Sequence, residues 1–324
     1  MASQLLSSEI PIITTVASYR EWRGKAFQAG QSVGFVPTMG ALHQGHLTLV
    51  KHSLANNDHT VVSIFVNPAQ FAPNEDFITY PRTLPNDAAL LASGQLQSHN
   101  VSVIFAPTAH EMYPSGITQY IASQKGTFVQ VKGYDHQMEG KSRPDFFRGV
   151  ATVVTKLFNI IQPTNAYFGQ KDIQQALILR RLCRDLHFAH PGADHVHIIP
   201  TDRDPVDGLA RSSRNVYLSA AERVYAPTLY DALRLAEQVW RQGRTKGDSV
   251  GEAMRLVQSR VEAARTRASE GVDMKLDYLD MNDAETLDEL DELTTESCSG
   301  GVIISGALWV GKTRLIDNIV IGEK

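Results

Sequence analysis

The sequence predicts an α/β protein in which a parallel-sheet domain (residues 1–201) precedes a smaller α/β domain (residues 202–324). Short runs such as 61–66 (VVSIFV) are continuously apolar, as strands are when both faces of a parallel sheet are covered. Turns follow these runs, and apolar residues at helical spacing follow the turns. Beyond Asn215 the pattern changes to amphipathic helices and alternating strands, which predicts the second domain.

The composition allows two folded cores and argues against several classes of protein. The chain has 324 residues, of which 43% are hydrophobic. A net charge of −4 gives no basic field for nucleic acid or an anionic membrane. Two cysteines, Cys183 and Cys298, are too few for a disulfide framework or a four-cysteine metal site, and they indicate a reducing compartment. Residues 1–13 lack the pattern of a secretory signal and no run is long enough to span a membrane, so a cytoplasmic protein is expected.

The first strand and the helix after it frame the most informative motif of the chain. Residues 32–36 predict a buried strand that ends before Pro37, because proline cannot extend a ladder. The motif PTMGALHQGH covers residues 37–46, and apolar residues at helical spacing follow it. Gly40 permits the turn, and Gly45 leaves room for a phosphate against the backbone.

Two histidines of this motif are the first candidates for catalysis. His43 and His46 lie three residues apart at the start of the predicted helix, so their imidazoles share one face. The N-terminus of a helix attracts anions, and imidazoles can donate hydrogen bonds to charge that develops on phosphorus. A zinc pair, or two hydrogen-bonded surface histidines, would show the same spacing, and both alternatives stay open.

The following elements alternate as expected of an α/β sheet. The strand 61–66 ends in the polar loop 67–71, which carries Asn67 and Gln70 at an edge where such sheets bind ligands. Each amide alone also fits a turn cap or a surface position. Residues 116–148 are irregular, and their segment 139–144 is either a mobile cover or a plain surface loop. The other elements are helices at 86–92 and 149–161 and strands at 101–105, 166–168 and 196–199.

Two further loops carry groups that suit phosphate. In the turn 169–172 (GQKD), Lys171 is a suitable phosphate partner unless it is simply solvated. Asp172 is placed to cap the next helix, whose first turn carries Gln175 at the same end of the sheet. In residues 211–214 (RSSR) two hydroxyls lie between two guanidiniums, which suits a polyphosphate, although a serine-rich turn with exposed arginines would look the same.

The C-terminal domain contains a segment that satisfies a nucleotide-binding pattern but is predicted to form a different structure. Its predicted elements are helices at 220–242 and 251–269 and strands at 273–281, 301–310 and 314–321. Residues 306–313 (GALWVGKT) satisfy the pattern of a nucleotide-binding P-loop, which needs a helix and further sheet after it. The residues after Lys312 are rich in β-branched side chains and the sequence stops at Lys324, so we interpret the segment as a hairpin between two strands.

Six motifs together resemble those of a known family. They are residues 37–46 (PTMGALHQGH), 63–71 (SIFVNPAQF), 80–83 (YPRT), 143–154 (RPDFFRGVATVV), 168–175 (FGQKDIQQ) and 207–215 (DGLARSSRN). In this order they resemble the pantothenate synthetases, strongly over residues 34–218 and beyond them in length and pattern only. The resemblance implies a Rossmann-like, nucleotidyltransferase-type domain similar to class I aminoacyl-tRNA synthetases, with a His-x-Gly-His signature, and a homodimer.

The resemblance also implies an activity and a set of site residues. The expected reaction is the ATP-dependent condensation of pantoate with β-alanine through a pantoyl-adenylate, which releases AMP and pyrophosphate and uses Mg²⁺. The expected catalytic residues are His43, His46 (the proton donor), Lys171 and Arg214. The expected ATP site comprises Met39, Gly40, Ala41, Leu42, His43, Gln44, Gly45, His46, Gly169, Gln170, Lys171, Asp172, Asp202, Arg211, Ser212, Ser213 and Arg214. Within it, Gly169 and Asp172 would hold the ribose, and Asp202 would contact adenine through its backbone. Gln70 and Gln175 would bind pantoate, and Gln70 also β-alanine.

The residue types suit this chemistry, although the sequence departs from the family pattern in places. A carboxylate that attacks a polyphosphate is repelled by it, so the site needs cations and hydrogen-bond donors more than a strong base. Gln170 and Arg211 stand where many members have Glu and an apolar residue, and an insertion near Pro205 lengthens the loop before Gly208. Two alternatives are a nucleotidylyltransferase, which would not release AMP in response to an amine, and a regulatory nucleotide-binding module without chemistry.

Overall fold

The computed structural model describes residues 10–93, 100–267, 271–296 and 300–322, and the chain divides into two compact units. The first unit comprises residues 1–132, 143–169 and 175–200, and the second comprises 133–142, 170–174 and 201–324. The second unit therefore takes up two internal segments that a single boundary near residue 201 does not describe. Cys298 lies outside the described residues.

The first unit is built on a six-stranded parallel sheet, which confirms the predicted fold class. Its strands are β1 (Ile12–Ile13), β2 (Val33–Thr38), β3 (His59–Ile64), β4 (Val103–Phe105), β5 (Asn165–Gly169) and β6 (Val196–Ile199). Their order in the sheet is β1-β4-β3-β2-β5-β6. The helices up to residue 185 are α1 (Val16–Gln28), α2 (Gln44–Asn56), α3 (Leu84–Ala92), α4 (Ala109–Met112), α5 (Met138–Ser142), α6 (Phe146–Ile161) and α7 (Ile173–Asp185), of which α5 belongs to the second unit.

Helices cover both faces of the parallel sheet. Successive side chains of a strand point to opposite faces, so Phe35 and Val36 of β2 lie on different sides of the sheet. The Phe35 ring contacts the Phe158 ring of α6 with centroids 6.3 Å apart. Val36 packs in a buried cluster with Leu47 and Val50 of α2. The continuous hydrophobicity of these strands therefore reflects burial on both faces.

The strand β2 runs through Pro37, and the predicted end of this strand was wrong. Backbone groups of successive strand residues face opposite neighbours. The Thr38 carbonyl accepts the Phe65 N–H on the β3 side, so Pro37 faces the β5 side. The β2–β5 ladder has already ended at Phe35, so the absent proline N–H removes no ladder hydrogen bond.

The strand order reverses between β2 and β5. After β2 the chain adds β3 and β4 on one side, and β5 and β6 then extend the sheet on the other side. Open α/β sheets bind ligands at the carboxyl ends of the strands at such a point. The turn before α2 starts at the carboxyl end of β2, and Gly169 is the last residue of β5. We therefore expect a ligand to bind at these two strand ends.

The second unit contains a three-stranded antiparallel sheet covered by helices. Its strands, β7 (Met274–Asp283), β8 (Val302–Val310) and β9 (Thr313–Ile321), are paired in that order. Its helices after residue 219 are α8 (Ala220–Tyr225), α9 (Thr228–Arg241) and α10 (Lys246–Arg267). The predicted single helix over 220–242 was wrong, because Pro227 separates α8 from α9. Leu229, Leu233, Leu308 and Leu315 belong to the buried core between α9 and the sheet.

The P-loop-like segment forms a hairpin turn, as predicted. Val310 of β8 pairs with Thr313 of β9 in antiparallel register, so Gly311 and Lys312 form a two-residue loop. Gly311 has a φ of +57°, which glycine adopts readily. Lys312 is exposed at the tip, and a strand rather than a helix follows it. The backbone geometry that a P-loop needs is therefore absent at this segment.

Candidate active site

The turn after β2 has a backbone that side chains hold in place. Gly40 and Ala41 both have positive φ, +84° and +49°. The Thr38 hydroxyl accepts the Gly40 N–H at 3.2 Å. The Asp87 carboxylate accepts the Ala41 and Leu42 N–H groups at 3.1 and 2.8 Å. These contacts fix the turn immediately before the histidine pair.

Asp87 is a residue that the sequence analysis missed. It lies in the first turn of α3 and is 2% exposed. Besides the two backbone groups, it accepts the Thr83 hydroxyl at 3.1 Å. A buried carboxylate is costly unless it is hydrogen-bonded, so its three donors stabilise it and it in turn holds the turn. The one sequence signal was an acidic residue near a helix N-terminus, which also fits simple capping.

His43 and His46 form a reciprocal cap at the N-terminus of α2. His43 Nδ1 accepts the Gly45 N–H at 3.2 Å, and His46 Nδ1 accepts the His43 N–H at 3.3 Å. Their ring centroids are 4.1 Å apart. A nitrogen that accepts a hydrogen bond carries no proton, so each neutral ring has its proton on Nε2. In this tautomer the Nε2–H of each ring is a hydrogen-bond donor, which is the kind of group that suits an anion.

Gln70 is held by the loop that follows β3. Asn67 caps the short 3-10 helix Pro68–Gln70 by accepting the Ala69 N–H, and its Nδ2 donates to Gln70 Oε1 at 3.0 Å. Gln70 Nε2 lies 3.3 Å from Met39 Sδ. The capping role considered for Asn67 is therefore confirmed, and Asn67 also orients Gln70. The first unit thus brings Gln70 and Met39, two candidates from different motifs, into contact.

The motif RPDFFRGVATVV supports the same loop. Arg143 donates to the Glu75 carboxylate at 2.7 and 2.9 Å and to the Gln70 carbonyl at 3.3 Å. A Cβ added at Gly149 would lie 2.2 Å from the Ala69 carbonyl oxygen, so only glycine permits this approach of α6 to the loop. Among the first-unit candidates, Gln175 is half-buried and lies in the first turn of α7.

Three candidates of the GQKD turn form one short 3-10 helix, Gln170–Asp172, which belongs to the second unit. The fourth, Gly169, ends β5 in the first unit. Lys171 Nζ lies 3.6 Å from Asp172 Oδ2, and both side chains are partly exposed. The side chain of Asn318 on β9 donates to the carbonyls of Gln170 and Lys171 at 2.8 and 2.9 Å. Asn318, far away in the sequence, was another residue that the sequence analysis missed.

The remaining candidates lie on the segment that follows β6. The Asp202 carbonyl accepts the Arg211 N–H at 3.0 Å, and the Arg211 Nε lies 3.4 Å from Asp202 Oδ2. The Ser212 hydroxyl accepts the Arg214 N–H at 3.3 Å and caps the 3-10 helix Ser213–Tyr217. The second unit thus joins Asp202 to Arg211 and orders the serine pair as the start of a short helix.

The loop around Pro205 is closed by its own contacts. Arg203 pairs with Ala210 in an isolated bridge, and the Asp204 carbonyl accepts the Gly208 N–H at 2.8 Å. Gly208 has a φ of +75°, and a Cβ there would lie 2.9 Å from the Tyr230 ring. This loop is therefore a compact turn ahead of the RSSR segment.

The described ranges lack two features, a metal site of three side chains and a membrane-spanning helix. No three His, Cys, Asp or Glu side chains in this part of the chain cluster as a metal site. No helix of the described segments is both long and apolar enough to cross a bilayer. The zinc alternative for His43 and His46 therefore gains no third ligand from the described residues.

Comparisons with known proteins agree on one family. The family model described as pantoate-beta-alanine ligase matches residues 11–320. A pantothenate synthetase of Moorella thermoacetica is 43% identical, covering 96% of this chain and 98% of that protein. The pantoate--beta-alanine ligase of Saccharomyces cerevisiae is 44% identical, covering 96% and 99%.

Solved structures give the same result. A pantothenate synthetase structure from Thermus thermophilus has a TM-score of 0.79 at 40% identity and covers 96% of this chain and 99% of that one. A pantoate-beta-alanine ligase from Francisella tularensis, complexed with beta-gamma ATP and beta-alanine, has a TM-score of 0.72 at 31% identity and covers 96% and 97%. Both cover the two units described above.

Proposed function

The chain belongs to the pantoate-beta-alanine ligase family, and from this premise we propose that it joins pantoate to β-alanine through a pantoyl-adenylate. It is an ATP-dependent ligase of pantothenate biosynthesis. In the first step the pantoate carboxylate attacks the α-phosphorus of ATP, an acyl–phosphate bond forms, and pyrophosphate leaves. In the second step the β-alanine amine attacks the acyl carbon, the amide forms, and AMP leaves.

The reciprocal histidine cap is the observation that carries this proposal. His43 and His46 offer Nε2–H donors at the N-terminus of α2, at the end of the sheet where the strand order reverses. Charge grows on the phosphate oxygens as the carboxylate attacks, and fixed donors stabilise that charge without reorganisation. We assign both rings to the transferring phosphate, with His46 as the proton donor, and the turn Met39–His46 to ATP.

Cations and backbone groups of other segments complete the assignment. Lys171 and Arg214 neutralise phosphate charge, and Ser212 and Ser213 donate to phosphate oxygens. Gly169 and Asp172 hold the ribose, Asp202 contacts adenine through its backbone, and Gln170 and Arg211 flank the nucleotide. The support for these roles is the motif match, together with the order that the Ser212 cap and the Asp202–Arg211 contact give these segments.

Two neutral amides are assigned to pantoate. Gln70 Oε1 already accepts a hydrogen bond from Asn67, so the group it offers to a ligand is its Nε2 amide. Such a donor suits the pantoate carboxylate and adds no charge that would compete with the phosphate cations. Gln175 acts with it, and Gln70 also contacts β-alanine. These amides hold the pantoate carboxylate in line with the α-phosphorus.

Magnesium, the assembly and the compartment complete the proposal. Mg²⁺ prefers phosphate oxygens and water with few protein ligands, so we assign it to the ATP phosphates, where it would neutralise charge. We propose a homodimer, and its support is the family resemblance. Burial raises the pKa of the Cys183 thiol to about 12, so this thiol stays protonated and inert. A free thiol at Cys183 accords with the proposed cytoplasmic location.

Pantoate-dependent exchange of labelled pyrophosphate into ATP is the decisive experiment. The proposed function predicts exchange when ATP, Mg²⁺ and pantoate are present without β-alanine. A regulatory nucleotide-binding module would bind ATP and show no exchange. A nucleotidylyltransferase would not release AMP when β-alanine is added.

A further inference from the structure

We propose that Asn318, on the last strand of the second unit, is a positioning residue that fixes the backbone under Lys171. This role rests on the proposed phosphate-binding function of Lys171. Neither the motifs nor the family resemblance points to Asn318, which lies 147 positions after Lys171 in the chain. The contacts that carry the proposal lie within one unit, since residues 170–174 are grouped with β9.

The Asn318 side chain uses its whole amide on the Lys171 turn. Its Nδ2 donates to the Gln170 carbonyl at 2.8 Å and to the Lys171 carbonyl at 2.9 Å. Its Oδ1 accepts a hydrogen bond from Gln170 Nε2 at 3.3 Å. Asn318 is 2% exposed, so water does not readily replace these partners. Removing the side chain would leave two carbonyls of the turn without their donor.

The same face of β9 holds the other internal segment of the second unit. Arg314, four residues before Asn318, donates to both oxygens of the Glu139 carboxylate at 2.8 and 2.9 Å. The buried Gln174 joins the two segments, because its Oε1 accepts the Glu139 N–H at 3.0 Å. Segments 133–142 and 170–174 are therefore fixed to the strand and to each other. The Lys171 turn has little freedom while these contacts are made.

The opposite face of β9 anchors the second phosphate segment. Asp317 accepts from Arg203 at 2.8 Å, and Arg203 also donates to the Gly208 carbonyl at 3.2 Å. The Arg203 guanidinium stacks on the Tyr230 ring, 3.7 Å from its centroid. These contacts hold the loop that leads into Ser212 and Arg214. Two adjacent residues of one strand thus set the positions of both phosphate segments of this unit.

A positioning role has a kinetic signature that differs from simple destabilisation. A displacement of about 1 Å in a preorganised site typically costs about 10²-fold in rate. We therefore expect Asn318→Ala to lower turnover about 10- to 100-fold. Asn318→Ser, which keeps one donor, should lose less. The KM for pantoate should stay unchanged in both variants, because Gln70 and Gln175 are unaltered.

Asn282 offers a matched control in the same sheet. It lies on β7, is 3% exposed, and its Nδ2 donates to the Leu287 carbonyl at 3.0 Å. Asn282→Ala thus removes a buried strand amide and the donor to one backbone carbonyl, whereas Asn318→Ala removes the donor to two. The Asn282 contact does not involve the Lys171 turn. We expect it to lower the unfolding midpoint while turnover stays at the wild-type level.

A double-mutant cycle with Lys171→Ala tests whether Asn318 acts through Lys171. The alanine at position 171 keeps its carbonyl, so the Asn318 contact and its contribution to stability persist. If Asn318 works by positioning the lysine, the double variant should be within about twofold of Lys171→Ala alone. Turnover, the KM values for ATP and pantoate, and urea unfolding would be measured for each folded variant.

The outcomes separate the inference from the proposed function. The positioning role would be overturned if the double variant lost turnover by the product of the two single losses, or if Asn318→Ala were as active as Asn282→Ala. Either result would leave the proposed role of Lys171 intact. A fully active Lys171→Ala protein would refute the proposed function of Lys171, and the inference would fall with it.

Discussion

At the scale of single residues, the His43–His46 pair combines a structural and a chemical role. Both Nδ1 atoms are used in capping α2, with N···N distances of 3.2 and 3.3 Å. This use fixes the rings and selects the tautomer that offers Nε2–H. A capping side chain without a ring would keep the first role and lose the second. The two roles can therefore be separated by substitution.

We predict that His43→Asn and His43→Ala differ in stability but lose turnover to the same extent. Asn is among the best N-cap residues and Ala among the poorest, so His43→Ala should unfold with a free energy about 0.5–2 kcal/mol lower than His43→Asn. Turnover should fall about 10²–10³-fold in both, because each lacks the imidazole donor. Urea unfolding and steady-state assays check this. Equal stability of the two variants would contradict the capping role.

A second prediction concerns the binding of pantoate. Gln70→Ala and Gln175→Ala should weaken pantoate binding roughly ten- to a hundredfold, because a hydrogen bond to an ionised group contributes about 1.5–3 kcal/mol. ATP binding should be largely unchanged in both. Calorimetric titration with each ligand measures this. Unchanged pantoate affinity in both variants would show that the pocket has been assigned to the wrong residues.

At the scale of elements, the two glycine–lysine motifs of the chain differ in the element that comes after each lysine. Lys171 stands on a 3-10 turn that leads into α7, whereas Lys312 is exposed at the tip of the β8–β9 hairpin. We predict that Lys171→Ala loses about 10²–10³ in turnover and that Lys312→Ala keeps most of it. Pyrophosphate exchange by both folded variants tests this. An inactive Lys312→Ala beside an active Lys171→Ala would reverse the assignment.

The contact between α5 and the hairpin sheet should make stability depend on pH. Burial raises the pKa of Asp277, but hydrogen bonds from Arg314 and Ser142 outweigh it, so its pKa lies below the ordinary value. The stabilisation is complete above the unfolded pKa of about 3.9 and is lost as pH falls through the folded pKa. Asp277→Asn should therefore be less stable than wild type at pH 7, with the gap narrowing below about pH 4. A gap that stays constant with pH would exclude this contribution.

The elements that the sequence predicted share a clear hydrophobic period, and the others do not. The strand predicted over 196–199 is observed as Val196–Ile199. The helix α1 was not predicted, because its buried face consists of Tyr19, Arg23 and Ala26 rather than a run of Leu, Ile or Val. Arg23 donates there from Nε and Nη2 to the Gln162 carbonyl, at 3.1 and 3.0 Å, a partner that no local pattern reveals. Tertiary contacts therefore decided the elements that periodicity could not.

At the scale of the whole molecule, the candidate site could be predicted only where it is local in sequence. The motifs at 37–46 and 168–175 name side chains next to strand ends, and these positions follow from the fold. Asn318 and Asp87 lie outside the motifs, and both form hydrogen bonds with backbone groups of distant segments. Backbone carbonyls and N–H groups look alike at every position, so a sequence does not show which of them a distant side chain will hold.

The last prediction concerns the order of the reaction in the whole enzyme. Pantoate carries a carboxylate that is already a nucleophile, whereas an amine cannot displace an unactivated carboxylate oxygen at neutral pH. Activation must therefore precede amide formation, and the leaving group identifies its route. With ATP, Mg²⁺ and pantoate alone, one equivalent of pyrophosphate per site should be released and the acyl-adenylate should remain bound. AMP should appear only when β-alanine is added. Rapid-quench analysis of labelled ATP measures both products, with Gln70→Ala as a variant expected to slow the pyrophosphate burst. Release of ADP and inorganic phosphate would instead require an acyl-phosphate, and AMP accumulation without amine would mean that water consumes the intermediate.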